Sequence, residues 1–229
     1  MQGGCFCGEP GGGLGGLDAT RVRESLRRLG AAQTKVFGAD GHHFLLNFPM
    51  PEPDVLAFEQ RHNIGLPADY RRFLTAIGNG GAGPYYGVFP LGMMDGLGGK
   101  LKAWNEANGF IGVLSKTFPH TEAWNDLQGK PSDELAKTDE EEYGRQLDQF
   151  EEVYFASSLV DGAIPICHLG CALRIWLVIT GSQAGCLWRD GRADCTGLSP
   201  LRLANGSPAT FSLWYIEWLE EALQKAGLD

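Results

Sequence analysis

The sequence predicts an α+β fold, a mainly antiparallel sheet with helices packed on one side. Three observations predict it. Apolar residues at helical spacing gather in the first third and at the C-terminal end, while β-rich runs gather in the last third. Helices and strands are therefore segregated rather than alternating. The β-rich runs "GAIPICHLG", "ALRIWLVIT" and "GCLWRDG" are separated by Gly-containing turns, as in a meander of adjacent strands. Finally, 229 residues with 43% hydrophobic content can build a substantial core. Such a length suits one large domain with an N-terminal extension.

The first thirteen residues hold six glycines, so residues 1–16 read as a flexible Gly-rich arm and 17–229 as a single domain. From Asp18, Val22, Leu26 and Leu29 share a helical face, and Gly30 is placed to stop the helix. Two β-rich runs around "GADG" read as a hairpin, with His42 and His43 in its second strand. Prolines then open a helix over "PEPDVLAFEQRHN". After the break at "IGLP", Pro67 opens another, whose stripe is Tyr70, Phe73, Leu74 and Ile77. "GNGG" ends that helix, because glycine adopts the left-handed backbone a helix terminus needs. "PYYGVFPL" reads as a short strand. An irregular acidic insert follows over about 92–155, ending in one or two acidic helices with Leu147, Phe150 and Tyr154 on the buried side. In "IWLVI" both alternating faces are apolar, which marks a central strand. "TFSLWYIEWLEEALQKAG" closes as a helix, with Thr210 or Ser212 as cap, Phe211, Trp214 and Trp218 on one face, and Gly227 at its end.

Charge narrows the function. With 28 acids against 19 bases, the net charge is -9 and the pI about 5.0. Such a field repels nucleic acid and anionic membranes and favours a basic protein partner. The start lacks a basic region followed by an apolar run, and "IWLVI" is too short to span a bilayer. The expectation is a cytoplasmic protein whose six cysteines stay reduced.

The stretch "ICHLGC" is the sharpest chemical suggestion. Zinc needs four ligands, and adjacent Cys167 and His168 in a β-rich run point to opposite faces. For the same reason they make no catalytic dyad. Cys5 and Cys7 sit in the arm, and Cys186 and Cys195 fall singly in a strand and a loop. No nucleophile elbow, phosphate loop or dinucleotide fingerprint occurs. No catalytic residue, metal or cofactor is therefore assigned.

Residues 58–81, "FEQRHNIGLPADYRRFLTAIGNGG", resemble the signature of the SUKH superfamily, which includes yeast cell-wall assembly and killer-toxin-resistance regulators and bacterial immunity proteins. The matching positions are Glu59, Gly65, Leu66, Pro67, Tyr70, Phe73, Leu74, Asn79, Gly80 and Gly81. Later, Gly170, Cys171, Leu177, Gly181, Gly185 and Trp188 follow the family's strand–turn–strand pattern, and Trp214 lies in the closing helix. The signature regions are 52–90 and 162–220. The resemblance implies a SUKH-like α+β fold without an active site, and it implies that Cys171 is a packed core thiol. It further implies a protein-binding module, foremost an immunity protein that occludes a cognate nuclease- or deaminase-type toxin domain. A regulatory interaction protein without a toxin partner is the alternative, and a thiol- or zinc-dependent enzyme a more distant one. The expected binding face is Asp139, Glu140, Glu141, Glu142, Asp148, Glu151 and Glu152, set against the plainer reading of a solvated helix surface.

Overall fold

The computed structural model describes residues 16–96, 100–104 and 110–228. The arm and its Cys5 and Cys7 fall outside the described residues but for Gly16. Helix α1 (Ala19–Ala31) begins where Asp18 accepts the Arg21 amide at 2.6 Å, and it buries Val22, Leu26 and Leu29.

The expected hairpin after α1 is not formed. Residues Ala39–His42 make one helical turn, α2, between Gly38 at φ 78° and His43 at φ 50°. The reason is a contact with a distant part of the chain. Gly38 lies so close to the Tyr85 carbonyl that a Cβ would sit 2.0 Å from that oxygen, and the chain must coil past it. Leu46 alone in this segment pairs, with Gly81. His42 is therefore no strand residue: it is buried, and its Nδ1 accepts the Phe44 amide at 3.0 Å.

Helix α3 (Glu52–His62) ends at Asn63, which takes the left-handed backbone. Glu59, near its end, reaches forward to accept the Leu66 amide at 2.8 Å and Arg71 Nε at 3.3 Å. That carboxylate fixes the "IGLP" turn, so its place in the signature has a structural cause. Gly65 is open on its Cβ side, Leu66 is buried, and Pro67 stands at the cap of α4 (Ala68–Arg72). The helix widens into a π turn over Phe73–Ile77, burying Tyr70, Phe73, Leu74 and Ile77 as the stripe predicts. Gly81 is required: at φ 100°, a Cβ there would meet the Leu45 carbonyl at 2.5 Å.

Among the described residues there are two antiparallel sheets. A small one joins β1 (Met93–Asp95) to β2 (Leu101–Ala103). The larger runs in order β3 (Ala163–Gly170), β4 (Leu173–Val178), β5 (Leu187–Asp190), β6 (Leu198–Pro200). This is the predicted meander, with β4 inside it. The run "PYYGVFPL" forms no strand; only Val88 bridges, to Gly81 and Cys167, because Gly87 and Gly81 bend the chain on either side.

One face of the sheet, with Ile164, Ile166, Ile175, Leu177 and Leu187, joins the main core with α1, α4 and the closing helix α7 (Phe211–Ala226). The opposite face, with Trp176, Val178 and Trp188, is covered by Phe118, Val160 and Trp124. Burying each such aromatic stabilises by about 1.5–3 kcal/mol, so both faces hold the sheet. Neither Thr210 nor Ser212 caps α7 with its side chain. Instead Asp69 of α4 accepts the Ser212 amide at 2.9 Å, a cap supplied from far along the chain. Gly227 ends the helix at φ 63°, as expected.

Candidate interaction surface

The acidic insert ends in two helices, α5 (Asp133–Thr138) and α6 (Glu140–Tyr154). Ser132 caps the first and Asp139 the second, each accepting an amide three residues on. Three glutamates fill the first turn of α6, where carboxylates complement the helix dipole. This segment carries nine acids and two bases, so it holds a net -7 of the chain's -9.

The expected binding residues divide by use. Asp139 serves as the cap, and Glu142 is held by Arg145 (Nε at 2.7 Å) and Gln146. Those bonds keep the Glu142 carboxyl well below the usual carboxylate range. The others are exposed: Glu140, Glu141, Asp148, Glu151 and Glu152. Glu141, Asp148 and Glu152 recur at i, i+7 and i+11, which stacks them on one stripe over about 17 Å. Glu140 and Glu151 flank it, and Val153 lies exposed beside them.

The buried side of α6 is Phe150 and Tyr154, with Leu147 half-buried. Tyr154 packs its ring 5.4 Å from Trp124 and donates its hydroxyl to Asn125 Oδ1 at 2.6 Å. Beneath it lies a buried ion pair that sequence reasoning missed. Asp190 accepts Arg192 Nε at 3.0 Å, Arg192 Nη2 at 2.7 Å, the Arg192 amide at 3.1 Å and Trp176 Nε1 at 3.1 Å. Arg192 also donates to the Tyr154 carbonyl at 3.4 Å and lies over the Phe155 ring. The foot of the acidic helix thus stands on this pair. Its only sequence signal is the acid–Gly–base step in "RDGR", which does not reveal burial.

The "ICHLGC" stretch resolves differently from its appearance. Cys167 is fully buried and donates its thiol to the Pro84 carbonyl at 3.3 Å, and burial pushes the thiol up, away from thiolate. His168 points to the other side, stacked on Tyr86 with ring centroids 5.6 Å apart. Its Nε2 lies 4.0 Å from an Asp95 carboxylate that Arg174 already holds at 2.8 and 2.9 Å. Cys171 is not a core thiol. It is exposed, because with Ala172 it forms the apex of the β3–β4 turn, both at positive φ after Gly170 at φ 102°. Trp188 and Trp214 are buried. Nor are all thiols reduced, since Cys186 is held in a disulfide. Among the described residues no three His, Cys, Asp or Glu side chains gather as metal ligands, and no helix is long and apolar enough to cross a membrane.

Comparison with protein-family models, with curated proteins and with solved structures finds no match for this chain.

Proposed function

We propose that this chain is a non-catalytic protein-binding module of SUKH-like type that neutralises a basic toxin domain by covering its active site. The observation that carries the reading is the concentration of charge, a net -7 of -9 within residues 133–154. On α6 the Glu141, Asp148 and Glu152 stripe faces away from Phe150 and Tyr154, so the carboxylates are presented outward from a fixed base. A potential focused on one helical pair steers a cationic partner before contact, as the negative charge of a nucleic acid would. The structural tasks of Glu59, Gly81 and Tyr70 support a scaffold whose signature residues build the fold. The burial and hydrogen bond of Cys167 weigh against a thiol nucleophile in "ICHLGC".

The test is reconstitution with the purified product of the neighbouring gene. A stoichiometric complex that abolishes a nuclease or deaminase activity supports the reading. A complex without inhibition assigns the chain to regulation instead.

A further inference from the structure

The larger sheet does not stop at β3. From Cys167 the pairing continues outward through Val88 and Gly81 to Leu46, each bridge antiparallel. At the opposite edge Leu198 of β6 is closed by Trp124, each donating its amide to the other's carbonyl at 2.8 Å. The Leu46 edge is bare. The Leu45 carbonyl accepts the Ala82 amide at 2.7 Å, and the Asn47 amide donates to the Gly80 carbonyl at 3.0 Å. A trans peptide points its C=O and N–H in opposite directions, so the N–H and C=O of Leu46 both face outward. Among the described residues neither has a hydrogen-bond partner.

Natural sheets guard such an edge with charge, proline or a bulge. Residues 43–50, "HFLLNFPM", hold no lysine, arginine, aspartate or glutamate. Phe44, at φ 58°, turns the chain away before the edge, and Pro49 has no N–H to continue it. Between them Leu45 is 68% exposed and Phe48 94% exposed. The backbone beneath is anchored, since the Phe48 carbonyl also accepts the Asn79 amide at 3.1 Å. These apolar side chains are therefore held out by the fold.

We propose that this edge pairs with the same edge of a second copy of the chain, antiparallel about a two-fold axis at Leu46. An isologous contact needs a surface that is its own complement. Leu46 offers donor and acceptor on one side, so across the axis each N–H meets the other C=O, as in the hydrogen-bonded pair of an antiparallel ladder. Phe48, two positions on and on the same side of the strand, comes beside Leu46 of the other copy, and Leu45 comes opposite Asn47. Both exposed apolar residues are covered reciprocally. A foreign strand gains no more main-chain bonds at so short an edge, whereas a second copy brings the matching apolar residues with it. No carboxylate belongs to the edge, so the -9 charge of each copy opposes pairing only at longer range, where salt screens it over about 8 Å. The inference does not rest on the acidic stripe of α6.

Sedimentation velocity of the full chain, at rising concentration in low and high salt, is expected to show a weak monomer–dimer equilibrium that tightens with salt. Phe48→Lys and Leu45→Lys, both at exposed side chains, are expected to weaken it about tenfold or more with an unchanged circular dichroism spectrum. Amide exchange separates edge pairing from contact through an apolar patch alone. Protection of the Leu46 N–H should rise with concentration, while the Asn47 N–H, already bonded to Gly80, stays protected throughout. A chain that is monomeric at every concentration overturns the proposal. So does a dimer that both lysine variants leave intact, or one in which Leu46 exchanges as fast as in the monomer. Protection of Leu46 that appears only when the neighbouring-gene product is added places a foreign strand on the edge and overturns the assignment to a second copy.

Discussion

Replacing Asp190 by asparagine perturbs one atom of shape and one unit of charge at the base of α6. The carboxylate now accepts four N–H bonds, three from Arg192 and one from Trp176, with the two charged side chains only 6% and 5% exposed. Asparagine keeps one acceptor but leaves the guanidinium buried beside no counter-charge. Breaking a buried pair from one side costs about 3–5 kcal/mol. For a chain of this size each kcal/mol moves Tm by about 2–4 °C, so Asp190→Asn should melt about 6–20 °C lower. Urea denaturation followed by circular dichroism measures the free energy. The double variant Asp190→Leu/Arg192→Met removes both charges and should be more stable than the single one, because no charge is stranded. Tyr154 and Phe155 lean on Arg192, so amide exchange in α6 should quicken in the single variant. A loss below about 0.5 kcal/mol in Asp190→Asn, the size of an ordinary surface change, would refute the reasoning.

Two further outcomes follow from the fold. Burial holds the His42 ring at a pKa of about 4, against an ordinary 6.5, its Nε2 lacking a well-aligned partner with the Gly83 carbonyl close by. Because the folded value is the lower one, protons favour the unfolded chain. The contribution is whole above pH 6.5 and is lost as pH falls toward 4, up to about 3 kcal/mol at 1.36 kcal/mol per pH unit. Unfolding free energies of wild type and His42→Asn across that window should converge at the acid end; a constant gap contradicts the assignment. At the β3–β4 apex, Ala172 holds φ 62°, where glycine is unstrained. Ala172→Gly should therefore stabilise by about 1 kcal/mol, and a lower Tm would contradict the turn geometry.

Periodic elements were legible in the sequence because their signal is local. The stripes of α1, α4, α6 and α7 and the alternation of β4 each follow from burial of one or both faces, and the structure places them accordingly. What the sequence hid depends on distant atoms. "GADG" has the composition of a hairpin turn, yet the close approach of Gly38 to Tyr85 makes it a helical turn. Asp69 reads as a first-turn acid of α4, and nothing near it shows that it caps α7. Cys171 was expected in the core from its place in a family pattern, but a two-residue turn carries its apex away from the sheet. Within the candidate surface the cluster of acids was plain, whereas their division into cap, paired and outward residues needed the helix phase. The Asp190–Arg192 support was invisible, since burial of a charge pair has no local pattern.

The central claim is that the outward carboxylates of α6 steer a basic partner, and association kinetics test it most directly. Stopped-flow mixing with the purified neighbouring-gene product, at about 0.15 M and about 1 M salt, compares screening lengths of about 8 and 3 Å. Glu141→Lys, Asp148→Lys, Glu152→Lys should slow association about tenfold or more at the lower salt and nearly match wild type at the higher. Equal rates for both proteins at both salts would contradict the account and leave the acidic stripe as surface alone.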